Sequence, residues 1–76
     1  MKQISIREQD EFIKLGQALK KANLVSSGVE AKIVIQDGQV TVNGETELER
    51  RKNAYEGVIF LMRKFGTKRS LRIVKL

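Results

Sequence analysis

The sequence predicts an α+β fold in which two short helices, at about residues 14–23 and 28–37, pack against a small, mostly antiparallel sheet. Two observations predict it. Apolar residues recur at helical spacing in the first half of the chain, whereas short alternating segments separated by turn residues fill the second half. The strongest turn signal is Asn43-Gly44. With 76 residues, the chain is predicted to form a single domain with a small core.

A strand is predicted at the start of the chain, over residues 1–6. Polar and apolar side chains alternate there, which places Ile4 and Ile6 on one face. The polar residues 7–11 that follow are predicted to connect this strand to the first helix.

The first helix is predicted from apolar residues at helical spacing, which mark one buried face. These residues are Phe12, Leu15, Ala18, Leu19 and Ala22. Because Gly16 weakens a helix interior, the helix is predicted to start near Lys14, with the two preceding residues as its lead-in. It is predicted to run to about Asn23.

The second helix has clearer start and stop signals. Ser27 and Glu30 have the S-x-x-E spacing of a capping box, in which the Ser caps the Glu amide and the Glu side chain reaches back. Gly38 supplies the left-handed residue that ends the helix. Its predicted buried stripe consists of Val29, Ile33 and Val34. Lys32 and Gln36 lie one turn apart on another face.

The next segment is predicted to be a β-hairpin. Val40 and Val42 alternate with Thr41, and both residues of Asn43-Gly44 tolerate a positive φ, as a two-residue hairpin turn requires. Residues 45–49 are predicted to return as a weak, highly charged strand.

The last third of the chain is predicted to contain a loop and two strands. Residues 50–53 are too polar for the core and form an exposed loop, and Gly57 precedes a strand over residues 58–65. Residues 66–70 form a turn. The final strand contains Leu71, Ile73 and Leu76. It is predicted to pair with residues 2–6, which would join both chain ends in one sheet.

The charge is large and unevenly distributed. The net charge is +6, yet residues 1–49 carry six basic and eight acidic side chains, whereas residues 50–76 carry nine basic and one acidic. Such an asymmetry favours a polyanionic partner. A generally basic surface without a specific partner is the alternative explanation.

Several classes of function are disfavoured by composition. The chain has no Cys and no His, and its carboxylates show no obvious buried pair, so we predict no catalytic residues, no metal site and no cofactor. No apolar run is long enough for a signal peptide or a membrane span. We therefore expect a cytoplasmic protein that is not an enzyme, with no membrane contact and no small-molecule substrate.

Several short segments carry a resemblance to a known family. They are residues 15–20, 27–28, 30–32, 38–45 and 50–52, together with Gly57. They resemble the S-four RNA-binding domain, named for protein four of the small ribosomal subunit, whose hallmark is two short helices followed by a strand, an Asn-Gly turn and a basic loop. The resemblance covers residues 13 to about 60, and the chain is similar to the small stand-alone bacterial members of the family.

The resemblance implies that the two helices and the basic loop form one face that binds structured RNA, such as ribosomal RNA or a ribosome-assembly intermediate. Amides at the start of the second helix can receive a phosphate, and Arg and Lys side chains can add phosphate contacts. The residues predicted to contact RNA are Lys14, Ser26, Ser27, Lys32, Gln36, Arg50, Arg51, Lys52 and Tyr55.

Other interpretations stay open. The two helices could form a DNA-binding module of the helix-turn-helix kind, or residues 45–49 could serve a protein-interaction adaptor. The cluster 50–52 could instead balance nearby glutamates, and Tyr55 could cover the core rather than stack on a base.

Overall fold

The computed structural model describes residues 2–63 and 66–76. Met1 of the predicted first strand and Lys64-Phe65 of the predicted strand 58–65 lie outside the described residues. The elements are β1 (Lys2–Ile6), β2 (Ile13–Lys14), α1 (Leu15–Lys21), α2 (Gly28–Gln36), β3 (Val40–Val42), β4 (Glu45–Thr46), β5 (Asn53–Ala54), β6 (Gly57–Met62) and β7 (Lys68–Lys75).

The larger sheet has the strand order β1-β7-β6-β3-β4. The two chain ends are neighbours, as predicted: β1 pairs with β7 in parallel, with Ile4 opposite Ile73. The other pairs in this sheet are antiparallel. A separate two-stranded ladder joins β2 to β5, with Ile13 opposite Ala54 and Lys14 opposite Asn53. The predicted α+β class with a mostly antiparallel sheet is therefore confirmed.

One hydrophobic cluster joins the helices to the larger sheet. Alternate residues of β1, β6 and β7 point into it, as the two-residue period of a half-covered sheet requires. The largest fully buried side chains are Leu15, Leu19, Val34, Ile35, Val40, Ile59, Leu61, Leu71 and Ile73. The helices and the sheet therefore bury their apolar faces against each other. This shared core fixes where the two helices lie on the sheet.

Both helices end in Schellman motifs, in which a left-handed residue directs two amides back to the last turn. In α1 that residue is Asn23 (φ 60°), and the Leu24 amide donates to the Leu19 carbonyl at 2.9 Å. In α2 it is Gly38 (φ 79°), as predicted, and the Gln39 amide donates to the Val34 carbonyl at 3.1 Å.

The predicted buried stripe of α2 is wrong in two of its three members. Val29 and Ile33 are 69% and 60% exposed, and the buried residues are Ala31, Val34 and Ile35. Both sets have helical spacing, so periodicity alone did not distinguish them. The small side chain of Ala31 allows α1 to approach closely and thereby selects the buried face.

Other boundaries also differ from the predictions. Phe12 precedes β2 and is exposed, because it lies in an extended segment rather than on the helix face. The returning strand is only β4, and the final strand begins at Lys68 within the predicted turn. Leu76 follows the end of β7 and is exposed, so it does not join the core.

The predicted Asn-Gly turn is confirmed, and it is held by a contact outside the hairpin. Asn43 and Gly44 both have positive φ (51° and 90°). The Asn43 side chain accepts a hydrogen bond from the Val58 amide at 2.9 Å, and the Asn43 amide donates to the Val58 carbonyl at 2.8 Å. Gly57 leaves the space that this side chain occupies.

Replacing Gly57 by Ala is expected to destabilise the fold by about 1–3 kcal/mol, because the new methyl group overpacks this site. A Cβ there would lie 2.8 Å from Asn43 Nδ2 and 2.9 Å from Asn43 Cγ. Chemical denaturation of both proteins tests this expectation. Gly28→Ala is the matched control, since nothing lies within 4 Å of a Cβ at that position. Equal losses in the two variants would contradict the role of the Asn43 contact.

Candidate nucleic-acid interface

A cationic groove lies where the start of α1, the start of α2 and the basic segment 50–52 meet. Its volume is about 340 Å³, and it is lined by Lys14, Gly16, Gln17, Lys20, Gly28, Ala31, Arg50 and Arg51. Four of these lining residues are cationic and none is acidic. The groove therefore attracts anions, and its width is set by how closely the basic segment approaches the helices.

Backbone hydrogen bonds attach the basic segment to the start of α1. The Leu15 amide donates to the Lys52 carbonyl and the Gly16 amide donates to the Arg50 carbonyl, both at 2.9 Å. These amides belong to the first turn of a helix, where no intrahelical acceptor exists. The segment thus caps α1, whose N-cap residue, Lys14, makes no side-chain capping bond.

Gly16 lies at the point of this close approach. A Cβ at Gly16 would lie 3.4 Å from the Arg50 carbonyl oxygen and 3.9 Å from the Ala31 Cβ. Both distances are van der Waals contacts, so a methyl group fits at position 16 but little room remains for a longer side chain. A longer side chain there would meet the basic segment or enter the groove, which Gly16 lines.

Lys14 is held at the edge of the groove by two contacts. Its Nζ donates to Asn53 Oδ1 at 2.6 Å and lies 5.3 Å from the centre of the Phe12 ring. The first contact follows from the pairing of β2 with β5, which places Lys14 directly opposite Asn53. The ammonium group stays exposed and keeps a fixed position beside the groove.

The start of α2 carries the predicted capping box with one difference. Ser27 is the N-cap, and its Oγ accepts a hydrogen bond from the Glu30 amide at 3.1 Å. Glu30 Oε1 accepts from the amide and the hydroxyl of Ser26, at 2.6 and 3.0 Å, rather than from the Ser27 amide. The Ser26 hydroxyl thus donates its hydrogen to Glu30. The Ser27 hydroxyl only accepts in its capping bond, so its hydrogen can be donated to a ligand.

Glu30 also links α2 to the end of β6. Its Oε2 lies 3.0 Å from Arg63 Nη2, and the same guanidinium lies 3.5 Å from the Leu24 carbonyl oxygen. The Ser26 amide and then the Arg63 side chain lower the pKa of Glu30 from 4.5 to about 2. Arg63 therefore has a structural partner next to the start of α2.

The pKa of Glu30 predicts an acid-sensitive contribution to stability. Because this pKa is lower in the folded protein, the stabilisation is complete above pH 4.5 and is lost as the pH falls towards about 2. We expect Glu30→Gln to be less stable than the wild type at neutral pH, with the difference shrinking through this window. Thermal unfolding at several pH values measures it, with Glu56→Gln, an exposed carboxylate, as control. A difference that is constant with pH would contradict the assignment.

Comparison with known proteins then identifies the family. The model of the S4 domain family matches residues 4–66. The chain belongs to the S4 domain family. The family that the sequence resembles is therefore confirmed. S4 domains are RNA-binding domains. A curated relative of this S4 domain protein is the probable ribosome maturation protein RlbA of Bacillus subtilis (strain 168), which is 37% identical over 57 residues, or 75% of this chain and 80% of the relative.

The S4 domain brings together only part of the predicted contact set. Lys14, Arg50 and Arg51 line the groove, and Ser27 directly precedes the groove residue Gly28. Ser26 lies in another hollow, beside Glu30, Arg63 and Arg69. Lys32 and Gln36 are exposed on α2 but do not line the groove. Lys52 faces the β3–β4 hairpin beside Glu45 and Glu47, and Tyr55 is exposed against Phe12.

Two groove residues with polar side chains were not among the predicted contacts. Gln17 and Lys20 line the groove from α1. Their signal was present in the sequence, because Lys14, Gln17 and Lys20 follow one another at a spacing of three and therefore share one helix face. Predicting only the start of α1 as a contact site omitted the rest of that face.

The ion pairs of the described residues bear on the interpretation that residues 50–52 balance nearby glutamates. Within them, none of Arg50, Arg51 and Lys52 forms an ion pair; the ion pairs found are Arg7–Asp10 and Arg63–Glu30. Among the same residues, no group of three or more acidic side chains is arranged to hold a metal ion. None of the helices in residues 2–63 and 66–76 is long and apolar enough to cross a membrane.

Proposed function

We propose that this S4 domain protein is a non-catalytic, cytoplasmic RNA-binding protein that recognises structured ribosomal RNA or a ribosome-assembly intermediate. The observation that carries the proposal is the groove itself, which four cationic side chains and no acidic side chain line. The name of the relative, a probable ribosome maturation protein, supports the choice of ribosomal RNA. On this proposal, residues 1–76 act as one RNA-binding domain.

Phosphate contacts dominate the proposed binding. The guanidinium groups of Arg50 and Arg51 can each donate two parallel hydrogen bonds to a phosphate, whereas Lys14 and Lys20 act as point charges. The backbone of Arg50 is fixed by its bond to Gly16, so less freedom is lost when its side chain binds. Recognition by this groove follows the spacing of phosphates more than base identity.

The other predicted residues extend the same surface. First-turn amides of α2 next to Gly28 offer a further phosphate position, with the Ser27 hydroxyl beside it. We retain Lys14, Ser26, Ser27, Lys32, Gln36, Arg50, Arg51, Lys52 and Tyr55 as the proposed contacts and add Gln17 and Lys20. Lys14, Gln17, Lys20, Arg50 and Arg51 line the groove, whereas Ser26, Lys32, Gln36 and Lys52 do not.

The dimensions of α2 favour RNA over a DNA duplex. A helix that reads the major groove needs a long polar face, but α2 has nine residues and exposes Val29 and Ile33. The cationic residues instead surround a concave site between several elements, which suits the irregular backbone of folded RNA.

Competition binding tests the proposed function. Structured ribosomal RNA fragments and a DNA duplex of equal length compete for the protein at two salt concentrations. We expect the RNA to bind more tightly and the preference to survive at the higher salt, although both affinities fall. Equal binding that high salt removes for both would overturn the proposal and favour a protein partner.

A further inference from the structure

Two aromatic rings form an exposed pair beside the cationic groove. Phe12 is 39% exposed and Tyr55 is 53% exposed, with their ring centres 5.8 Å apart and their planes inclined at 58°. The β2–β5 ladder brings the two rings together. Its last pair is Ile13 and Ala54, and Phe12 and Tyr55 are the next residues on the two strands. The pair is therefore positioned by backbone hydrogen bonds rather than by burial.

This pair contributes little to the hydrophobic core. The buried cluster contains neither ring. Ile13, the residue after Phe12, packs against the cluster instead. Exposed aromatic rings are frequent at binding surfaces, where they supply contact area at a low cost in conformational entropy. The ladder therefore fixes where the two rings lie, but burial in the core does not account for them.

Phe12 lines a second hollow that adjoins the groove. The hollow has a volume of about 430 Å³, and Lys14 and Gln17 line both it and the groove. Lys21 also lines this hollow. Asp10 is the one carboxylate among the lining residues, and its Oδ2 is paired with Arg7 Nε at 3.1 Å. The groove and this hollow therefore offer a nucleic-acid strand a continuous path over Lys14 and Gln17, and the one carboxylate among the residues that line them is paired.

We propose that Phe12, supported by Tyr55, is a stacking site for one unpaired nucleobase of the RNA bound in the groove; this inference rests on the proposed function. An extruded base can stack on an aromatic ring irrespective of its hydrogen-bonding pattern. Lys14 Nζ lies over the Phe12 ring, 5.3 Å from its centre, and donates to Asn53, so its ammonium group is within reach of the phosphate of a nucleotide whose base stacks on the ring.

The stacking site adds a form of selectivity that the groove lacks. The groove binds phosphates, which paired and unpaired nucleotides share, whereas the ring binds only a base that has left its stack. The protein therefore selects structured RNA that carries an unpaired nucleotide next to a helix, such as a bulge or a loop, over a continuous duplex.

The test uses two RNA hairpins with the same stem, one continuous and one carrying a single bulged 2-aminopurine. We expect the wild type to prefer the bulged hairpin by about tenfold and to change the fluorescence of the 2-aminopurine as its base moves from the RNA stack onto the ring. Phe12→Leu is expected to lose both effects and to bind the continuous hairpin as the wild type does. Tyr55→Leu is expected to lose part of the preference.

Phe60→Leu is the matched control, because Phe60 lies on β6, away from the groove and from this hollow, and it should keep the preference. Thermal unfolding verifies that each variant is folded. If alanine at Arg50 and Arg51 weakens both hairpins while Phe12→Leu and Tyr55→Leu weaken neither, the stacking site is overturned and the proposed function stands. Failure of the wild type to bind either hairpin would overturn both.

Discussion

Replacement of Arg50, Arg51 and Lys52 together by alanine is expected to weaken RNA binding roughly 100-fold at about 150 mM salt. Arg50 and Arg51 face the groove, and each charge-assisted contact that is lost removes about 1.5 kcal/mol. The plot of log K against log salt should also become shallower by about two to three units, because fewer counterions are released on binding. Titration with structured RNA at several salt concentrations measures both effects.

The fold should tolerate this change, since the basic segment is attached to α1 through its backbone. The carbonyl groups of Arg50 and Lys52 accept the bonds from α1, and alanine retains both carbonyls. The control removes equal charge from the exposed residues Lys68, Arg72 and Lys75 on β7, and it should retain most of the affinity. Similar losses from the two triple variants would show that net charge, and not the groove, governs binding.

Replacement of Gly16 by Leu is expected to lower both the free energy of unfolding and the RNA affinity while the net charge of the protein stays the same. The new Cβ meets the Arg50 carbonyl at 3.4 Å, so the remaining side-chain carbons displace the basic segment or fill the groove. We expect a loss of about 1–3 kcal/mol in unfolding free energy. RNA affinity should fall by about tenfold with the net charge unchanged, because the phosphate contacts of Arg50 and Arg51 are misplaced or blocked.

Gly16→Ala provides the graded control for this prediction. Its Cβ lies at van der Waals distance from the Arg50 carbonyl oxygen, and alanine favours the helix by about 0.5–1 kcal/mol over glycine. Denaturation and RNA titration of the two variants should therefore show near-native values for Ala and losses in both measurements for Leu. Native affinity in a folded Gly16→Leu protein would mean that RNA binds elsewhere on the surface.

Features that depend on a few neighbouring residues were predicted well. The cap at Ser27, the helix end at Gly38 and the hairpin turn at Asn43-Gly44 are all present in the structure. Each depends on a residue type that satisfies a local requirement, either a side-chain acceptor for an orphan amide or a positive φ. The pairing of the two chain ends was also predicted, because both segments show the alternation of a half-buried strand.

Features that depend on contacts between distant segments were predicted less well. The buried face of α2 was misplaced because Val29 and Ile33 repeat at the same spacing as the residues that are buried. Phe12 was assigned to the core because its spacing from Leu15 fits a helix, but the pairing of β2 with β5 draws it into an extended segment. Spacing predicts which residues share a face, but it does not say which face is covered.

The sequence by itself determined the α+β class, the family, the caps and turns, and the excess of positive charge after residue 49. Only the tertiary structure decided which charges act together. Lys14 and Asn53 are 39 residues apart in the chain, yet their side chains are in contact, and Arg50 lines the groove because its carbonyl is hydrogen-bonded to the Gly16 amide. The local signals depend on backbone geometry within a few residues. The cationic groove instead arises when the burial of the shared core brings two helix starts and the basic segment together.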